Sequence, residues 1–283
     1  MKKIFLLTVC LCSFAAFAAP IVKNGEKIAF LGDSITQFGD RPDGYVRLVM
    51  DGLKRAGVNA VALPAGVSGN KSNDMLRRLP GVLEKKPDWL LLSCGVNDVG
   101  HGKNGVELPD FKKNISAILD QAKAAGVKVM ILTPTTHTEQ VDSANNRKLA
   151  GYCEFLRKEA ADRKLLLADL NRKMQDELIA KKNVRGLKLT IDNLHMNGYG
   201  NQMMAAGVLE AFGVTPAEID GFRKEWNKIP SMAPILNSPH SPSFLISIDD
   251  YEVLRAEAGK KGLAPEEFAR QVIVERIRQT KKP

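Results

Sequence analysis

The chain is poor in cysteine: four in 283 residues, of which Cys10 and Cys12 lie close to the N-terminus. The other two, Cys94 and Cys153, are too few for a disulfide-stapled scaffold, and a chain of this length can stand on its core without one. They read as two buried thiols. Histidine is equally scarce. No two of His101, His137, His195 and His240 have metal-ligand spacing, so no metal site is indicated. No internal repeat is visible. Long hydrophobic runs are also missing: the stretch over residues 4–17 is too short for a comfortable membrane span. The formal net charge is +9, yet there is no arginine-rich run interleaved with aromatics. The positive charge is scattered and reads as a solvated surface, not a nucleic-acid footprint.

The apolar run over 4–17 has its own meaning. Lys2 and Lys3 precede it, and Ala16-Phe17-Ala18 ends it with small residues. Residues 1–18 therefore read as a secretory signal peptide. Neither Cys10 nor Cys12 follows the small residue of a lipoprotein signal. The expectation is export, to the periplasm or beyond, with no membrane span after cleavage and a net charge of about +7.

From residue 27 to 213 the pattern alternates. Short apolar runs at 28–31, 58–63, 89–93, 127–132 and 165–167 are separated by amphipathic stretches at 45–55, 73–84, 109–125, 143–163 and 170–181, with a last one at 198–212. Alternation of this kind predicts a five-stranded parallel sheet covered on both faces, a three-layer α/β/α sandwich of the flavodoxin-like kind. Catalytic groups should gather at the carboxyl ends of its strands. The first strand ends in Gly32-Asp33-Ser34-Ile35, the second in Pro64-Ala65-Gly66-Val67-Ser68-Gly69-Asn70, and the third in Ser93-Cys94-Gly95-Val96-Asn97-Asp98; Asp192-Asn193-Leu194-His195-Met196 opens the last helix. A serine hydroxyl is a weak nucleophile and needs a base and an oxyanion site from elsewhere. A carboxylate three residues before a histidine can fold back onto one imidazole nitrogen and leave the other for the serine.

Together, in this order, the four blocks resemble those of the SGNH, or GDSL, hydrolase family. The resemblance covers residues 27–212. It implies a serine esterase with Ser34, His195 and Asp192 as a triad and no cofactor. The oxyanion donors would be the backbone N–H groups of Ser34 and Gly66 and the side-chain amide of Asn97. The family's usual proline after the histidine is here Met196, a departure expected to loosen the turn. Asp33, His101 and His137 are candidates for the substrate wall, although a glycine-rich loop accounts for His101 equally well. His240 sits in a proline-rich stretch and reads as solvated.

The family spans carbohydrate O-acetylesterases, lipases, lysophospholipases and thioesterases. Short loops between the blocks, and no apolar lid or amphipathic surface helix for a long acyl chain, favour a short acyl group, acetyl, on a small-molecule or glycan substrate. A lysophospholipase or other lipolytic esterase is the alternative. The segment 214–242 reads as a helix and a linker holding Pro230, Pro234, Pro239 and Pro242. Beyond it, 243–283 reads as strand, helix, glycine turn, helix. With Phe244-Leu245-Ile246-Ser247-Ile248 as the strand, this resembles a ribbon–helix–helix module. Its outward strand positions Ser243, Leu245 and Ser247 carry no basic residue, so DNA binding is not expected. Two outcomes stay open: a homodimer formed through 243–280, which would suit an assembly or binding role, or a hairpin folded onto its own catalytic domain.

Overall fold

The computed structural model describes residues 20–182, 188–232 and 248–280. The expected signal peptide lies outside the described residues, as do most of the proline-rich stretch, His240 and residues 243–247 of the expected ribbon strand. Two compact units are present, Met1–Ser241 and Pro242–Pro283.

The first unit is built on a five-stranded parallel sheet of β1 (Lys27–Gly32), β2 (Val61–Gly66), β3 (Trp89–Ser93), β4 (Lys128–Leu132) and β5 (Leu166–Ala168), in the order β2-β1-β3-β4-β5. The chain winds outward from β1 in both directions, so the order reverses between β1 and β3. In open parallel sheets such a reversal leaves a crevice at the carboxyl ends of the strands. Successive side chains of a strand point to opposite faces, and each face has its own core. Ile28, Phe30, Leu91 and Met130 pack on one side, with residues of α2 (Tyr45–Arg55), α7 (Leu170–Ala180) and α8 (Gly198–Ala211). Ala29, Leu31, Leu90 and Leu92 pack on the other, with α3 (Ser72–Leu83), α5 (Leu108–Ala124) and α6 (Ala144–Asp162). Burial on both faces explains why these strands read as continuous apolar runs. Cys94 and Cys153 are free, buried thiols in the second core.

Two short helices lie at the crevice: α1 (Ser34–Gly39) directly after β1, and α4 (Val96–Gly100) after β3. A further helix, α9 (Pro216–Trp226), starts with Thr215 and Glu218 in a reciprocal capping box and Pro216 at its first position. The sequence reading expects a helix here, in the segment 214–242 past the catalytic domain. The structure gives it to the first unit's core: Ile219, Trp226 and Met232 are buried there, and the Trp226 indole N–H donates to Asp51 of α2 at 2.7 Å.

In the second unit, α10 (Ile248–Lys260) and α11 (Pro265–Thr280) are joined by a turn in which Gly262 takes a φ of 66°. That left-handed conformation suits glycine. Ile248, the last position of the expected ribbon strand, opens α10 instead.

Candidate active site

Ser34 sits where β1 hands the chain to α1. Asp33 is the N-cap: its carboxylate turns inward and accepts the Ile35 N–H at 2.9 Å. Asp33, a candidate for the substrate wall in the sequence, is only 2% exposed, with its carboxylate turned toward the chain and away from solvent. Burial pushes its carboxyl up to about 7; nearby Asp98 adds to the rise, while the Ile35 N–H and His195 oppose it. Ser34 itself is nearly buried, and its hydroxyl Oγ lies 2.9 Å from Nε2 of His195, 161 residues away.

His195 is carried by a tight loop. Thr190 and Met196 form an antiparallel bridge; the Ile191 N–H donates to the His195 carbonyl at 2.8 Å and the Asn197 N–H to the Leu189 carbonyl at 2.9 Å. The turn closes at Asn193, whose φ is 73°, a left-handed conformation that asparagine tolerates. Met196, at the position of the family's usual proline, is 9% exposed and joins the core under the loop.

Within the loop, one oxygen of Asp192 accepts the backbone N–H groups of Leu194 (3.0 Å) and His195 (2.7 Å), and the other lies 2.6 Å from Nδ1 of His195. Partial burial raises the Asp192 carboxyl, but these hydrogen bonds outweigh it and the net position is below the usual carboxylate range. An ionised carboxylate only accepts, so Nδ1 carries the ring proton and Nε2 is left to accept from the serine. Phe38 of α1 flanks the ring at a centroid distance of 4.9 Å, with the Arg41 guanidinium 4.2 Å from the Phe38 centroid.

The ends of β2 and β3 flank that of β1 in the sheet, which places Gly66 and the Asn97 loop on either side. Gly66 pairs with Gly32 and lies so close to α1 that a β-carbon there would come within 2.2 Å of the Gln37 nitrogen. Asn97, in α4, is 6% exposed, and its amide donates to the Asn70 carbonyl at 3.1 Å. Arg78 ties the same region together, giving Nε to the Asn70 side chain at 2.7 Å and Nη2 to the Gly32 carbonyl at 2.8 Å. Beneath, the buried Asp98 accepts both the N–H (3.0 Å) and the hydroxyl (2.5 Å) of Ser72, joining the start of α3 to α4.

The two other candidate histidines lie together at the far end of α4. His101 ends that helix in an exposed position, and His137 packs against Gly100, with its Nδ1 3.3 Å from the Asn145 amide. Burial and the proximity of His101 push the His137 imidazole down. Among the described residues, no group of three or more His, Cys, Asp or Glu side chains could hold a metal ion.

Sequence reasoning passed over Arg78, Phe38 and Glu139. Glu139 follows β4 and accepts hydrogen bonds from the chain that leads into the His195 loop. Its one sequence signal was a carboxylate near a strand's carboxyl end.

An open parallel sheet with a serine–histidine–carboxylate chain at its switch point is the layout of a hydrolase that attacks acyl groups. The sequence model of the GDSL-like Lipase/Acylhydrolase family matches residues 30–203. An acetylxylan esterase from Geobacillus stearothermophilus is 26% identical over 216 residues, spanning 68% of this chain and 96% of that protein. Esterase TesA from Pseudomonas aeruginosa is 32% identical over 110 residues, 38% of this chain and 53% of the relative. Among solved structures, the acetyl xylan esterase AlAXEase superposes with a TM-score of 0.62 at 31% identity, over 65% of this chain and 98% of its own. The chain belongs to the GDSL-like lipase/acylhydrolase family and is a carboxylic ester hydrolase. The resemblance of the C-terminal segment to a ribbon–helix–helix module finds no support in these comparisons, and the family match ends at residue 203.

Proposed function

We propose that this protein is an exported serine esterase that removes short acyl groups, acetyl foremost, from carbohydrate. The observation that carries the reading is the hydrogen-bonded chain Ser34–His195–Asp192. Ser34 Oγ attacks the ester carbonyl carbon as its proton passes to Nε2 of His195. The negative charge on the tetrahedral oxygen is met by the N–H groups of Ser34 and Gly66 and by the Asn97 amide. That amide has two N–H donors; Asn70 takes one and the other serves the oxyanion. The intermediate collapses, His195 gives its proton to the leaving alcohol, and an acyl-Ser34 ester remains. Water, deprotonated by His195, then attacks this ester, releasing the carboxylic acid and restoring Ser34. Asp192 holds the ring tautomer and stabilises the imidazolium throughout.

The preference for acetyl on sugar rests on the acetylxylan esterases among the relatives and on the short loops between the sequence blocks. Export rests on the signal-peptide pattern of residues 1–18. No helix among the described residues is long and apolar enough to cross a membrane. A role in self-association is assigned to the C-terminal unit, where Tyr251, Val253, Val272, Ile273 and Ile277 are exposed.

Replacing Ser34 by alanine tests the reading. Loss of a triad nucleophile lowers kcat by several orders of magnitude while binding persists; a folded variant that kept more than about a hundredth of wild-type kcat would remove Ser34 from the nucleophile's role. Acetylated xylo-oligosaccharides assayed beside p-nitrophenyl esters of rising chain length should give the highest kcat/KM for acetyl. A maximum at long acyl chains would replace this substrate reading with a lipolytic one.

A further inference from the structure

The loop that presents Asp192 and His195 needs a fixed base, because the 2.9 Å contact between His195 and Ser34 joins elements far apart in sequence. Part of that base is internal, through the Thr190–Met196 bridge and the Asn197 side chain, whose amide donates to the carbonyls of Lys188 (3.3 Å) and Thr190 (3.2 Å). The rest comes from Glu139. One of its carboxylate oxygens accepts the Lys188 N–H at 2.7 Å. The other accepts the N–H groups of Leu189 (2.7 Å) and Thr190 (2.8 Å) and the Thr190 hydroxyl (2.8 Å). Three consecutive backbone N–H groups thus converge on one side chain that is 5% exposed. Successive N–H groups turned to one side make an anion seat, and hydrogen bonds to an ionised acceptor are the strong kind. The Lys188 ammonium stands 3.8 Å from the same carboxylate.

Glu139 is itself held. Asn146, near the start of α6, accepts the His137 N–H at 2.8 Å and donates to the carbonyls of Thr138 (3.0 Å) and Gln140 (2.8 Å), clasping the segment on both sides of Glu139. A line of defined contacts therefore runs from α6 through Glu139 to residues 188–190 and on to His195. We propose that Glu139 is a positioning residue for the hydrolysis: it sets the seat of the loop so that Nε2 of His195 meets the Ser34 hydroxyl. This inference rests on the triad reading of Ser34, His195 and Asp192.

Glu139→Gln keeps the size of the side chain and puts an NH2 group where only acceptors fit. The expected result is a folded protein with kcat lowered roughly 10- to 100-fold, the scale of a misplacement of about 1 Å in a reacting group, and KM changed little. Labelling of Ser34 by a fluorophosphonate should slow in parallel. Because Glu139 acts through His195, adding Glu139→Gln to Asp192→Asn should cost little more than Asp192→Asn alone; full multiplication of the two losses would mean that Glu139 acts elsewhere, and would overturn the proposal. If Glu139→Gln does not fold, Thr190→Val withdraws only the hydroxyl from the seat, and a folded Thr190→Val enzyme with wild-type kcat and labelling rate overturns the proposal as well. Ser34→Ala separates the two readings. An active Ser34→Ala enzyme removes the triad itself, whereas an inactive one beside a fully active Glu139→Gln enzyme removes only the role of Glu139.

Discussion

Asp33 is one residue from Ser34 but directs its side chain inward, to the Ile35 N–H. Its carboxyl is raised from 3.8 to about 7 because burial penalises the charged form. In an unfolded chain it would ionise near its ordinary value. Between that value and about 7 the native state therefore holds a proton that the unfolded state has released, so stability contributed by this group declines as pH rises through the window. Asparagine keeps an oxygen for the Ile35 N–H and has no charge to bury. Asp33→Asn should raise the thermal unfolding midpoint at pH 8 and leave it nearly unchanged at pH 4. An equal gain at both would show that Asp33 titrates as an ordinary carboxylate. At this scale the sequence was uneven in what it disclosed. The sequence singles out Ser34, Asp192 and His195 because the serine ends a strand and the carboxylate lies three residues from the imidazole, and the structure places the three in one hydrogen-bonded chain. The inward turn of Asp33 was not legible, since a carboxylate beside a serine has the same sequence whether it faces the crevice or the core. Glu139 was hidden for a different reason: its partners lie 49 to 51 residues further along, and no periodicity marks such a pairing.

Elements follow a similar rule. The strand Trp89–Ser93 and the helix Tyr45–Arg55 have the bounds that periodicity predicts. The second strand begins at Val61, not at Val58, because Val58 is buried at 8% exposure in the turn that closes α2; its apolar character belongs to the core without belonging to the sheet. Helices α1 and α4, of six and five residues, are too short to display a helical period. Yet α1 is what presents Ser34, and it is seated against the end of β2 at Gly66. A methyl group on Gly66 would come within 2.2 Å of the Gln37 nitrogen and 2.6 Å of the Thr36 carbonyl carbon. These are backbone atoms, which cannot rotate away, so α1 and β2 would have to separate. Gly66→Ala is expected to cost about 1–3 kcal/mol of stability, the range for overpacking, and, on the proposed mechanism, to lower kcat while changing KM little, since Ser34 and the proposed oxyanion donor would move apart. Thermal unfolding with steady-state kinetics checks this, and near-wild-type values of both would show that the two elements slip past one another freely.

The whole molecule divides into the unit Met1–Ser241 and the unit Pro242–Pro283. Proline and polar residues accumulate after residue 213, and the family match stops at residue 203. Nevertheless the core continues to Met232. Trp226 is 1% exposed and hydrogen-bonded to Asp51, and Ile219 is 2% exposed. Truncating buried aromatic and aliphatic side chains of this size costs roughly 2–5 kcal/mol each, a large fraction of a typical domain's net stability of about 5–15 kcal/mol. A chain ending at Gly213 loses all of α9 and should be unstable or insoluble. A chain ending at Ser241 retains every one of these contacts and should fold and hydrolyse a short acyl ester with the kcat of the full-length protein. The same pair of proteins tests the role assigned to the second unit. Two helices with Val253, Val272 and Ile277 each more than 45% exposed leave apolar surface that a second copy of the chain can cover, by the self-complementary contact of a twofold dimer. Light scattering at micromolar concentration should therefore give a dimer for the full-length chain and a monomer for the chain ending at Ser241. A full-length monomer would overturn self-association, and a dimer that survives the truncation would move the interface onto the esterase unit.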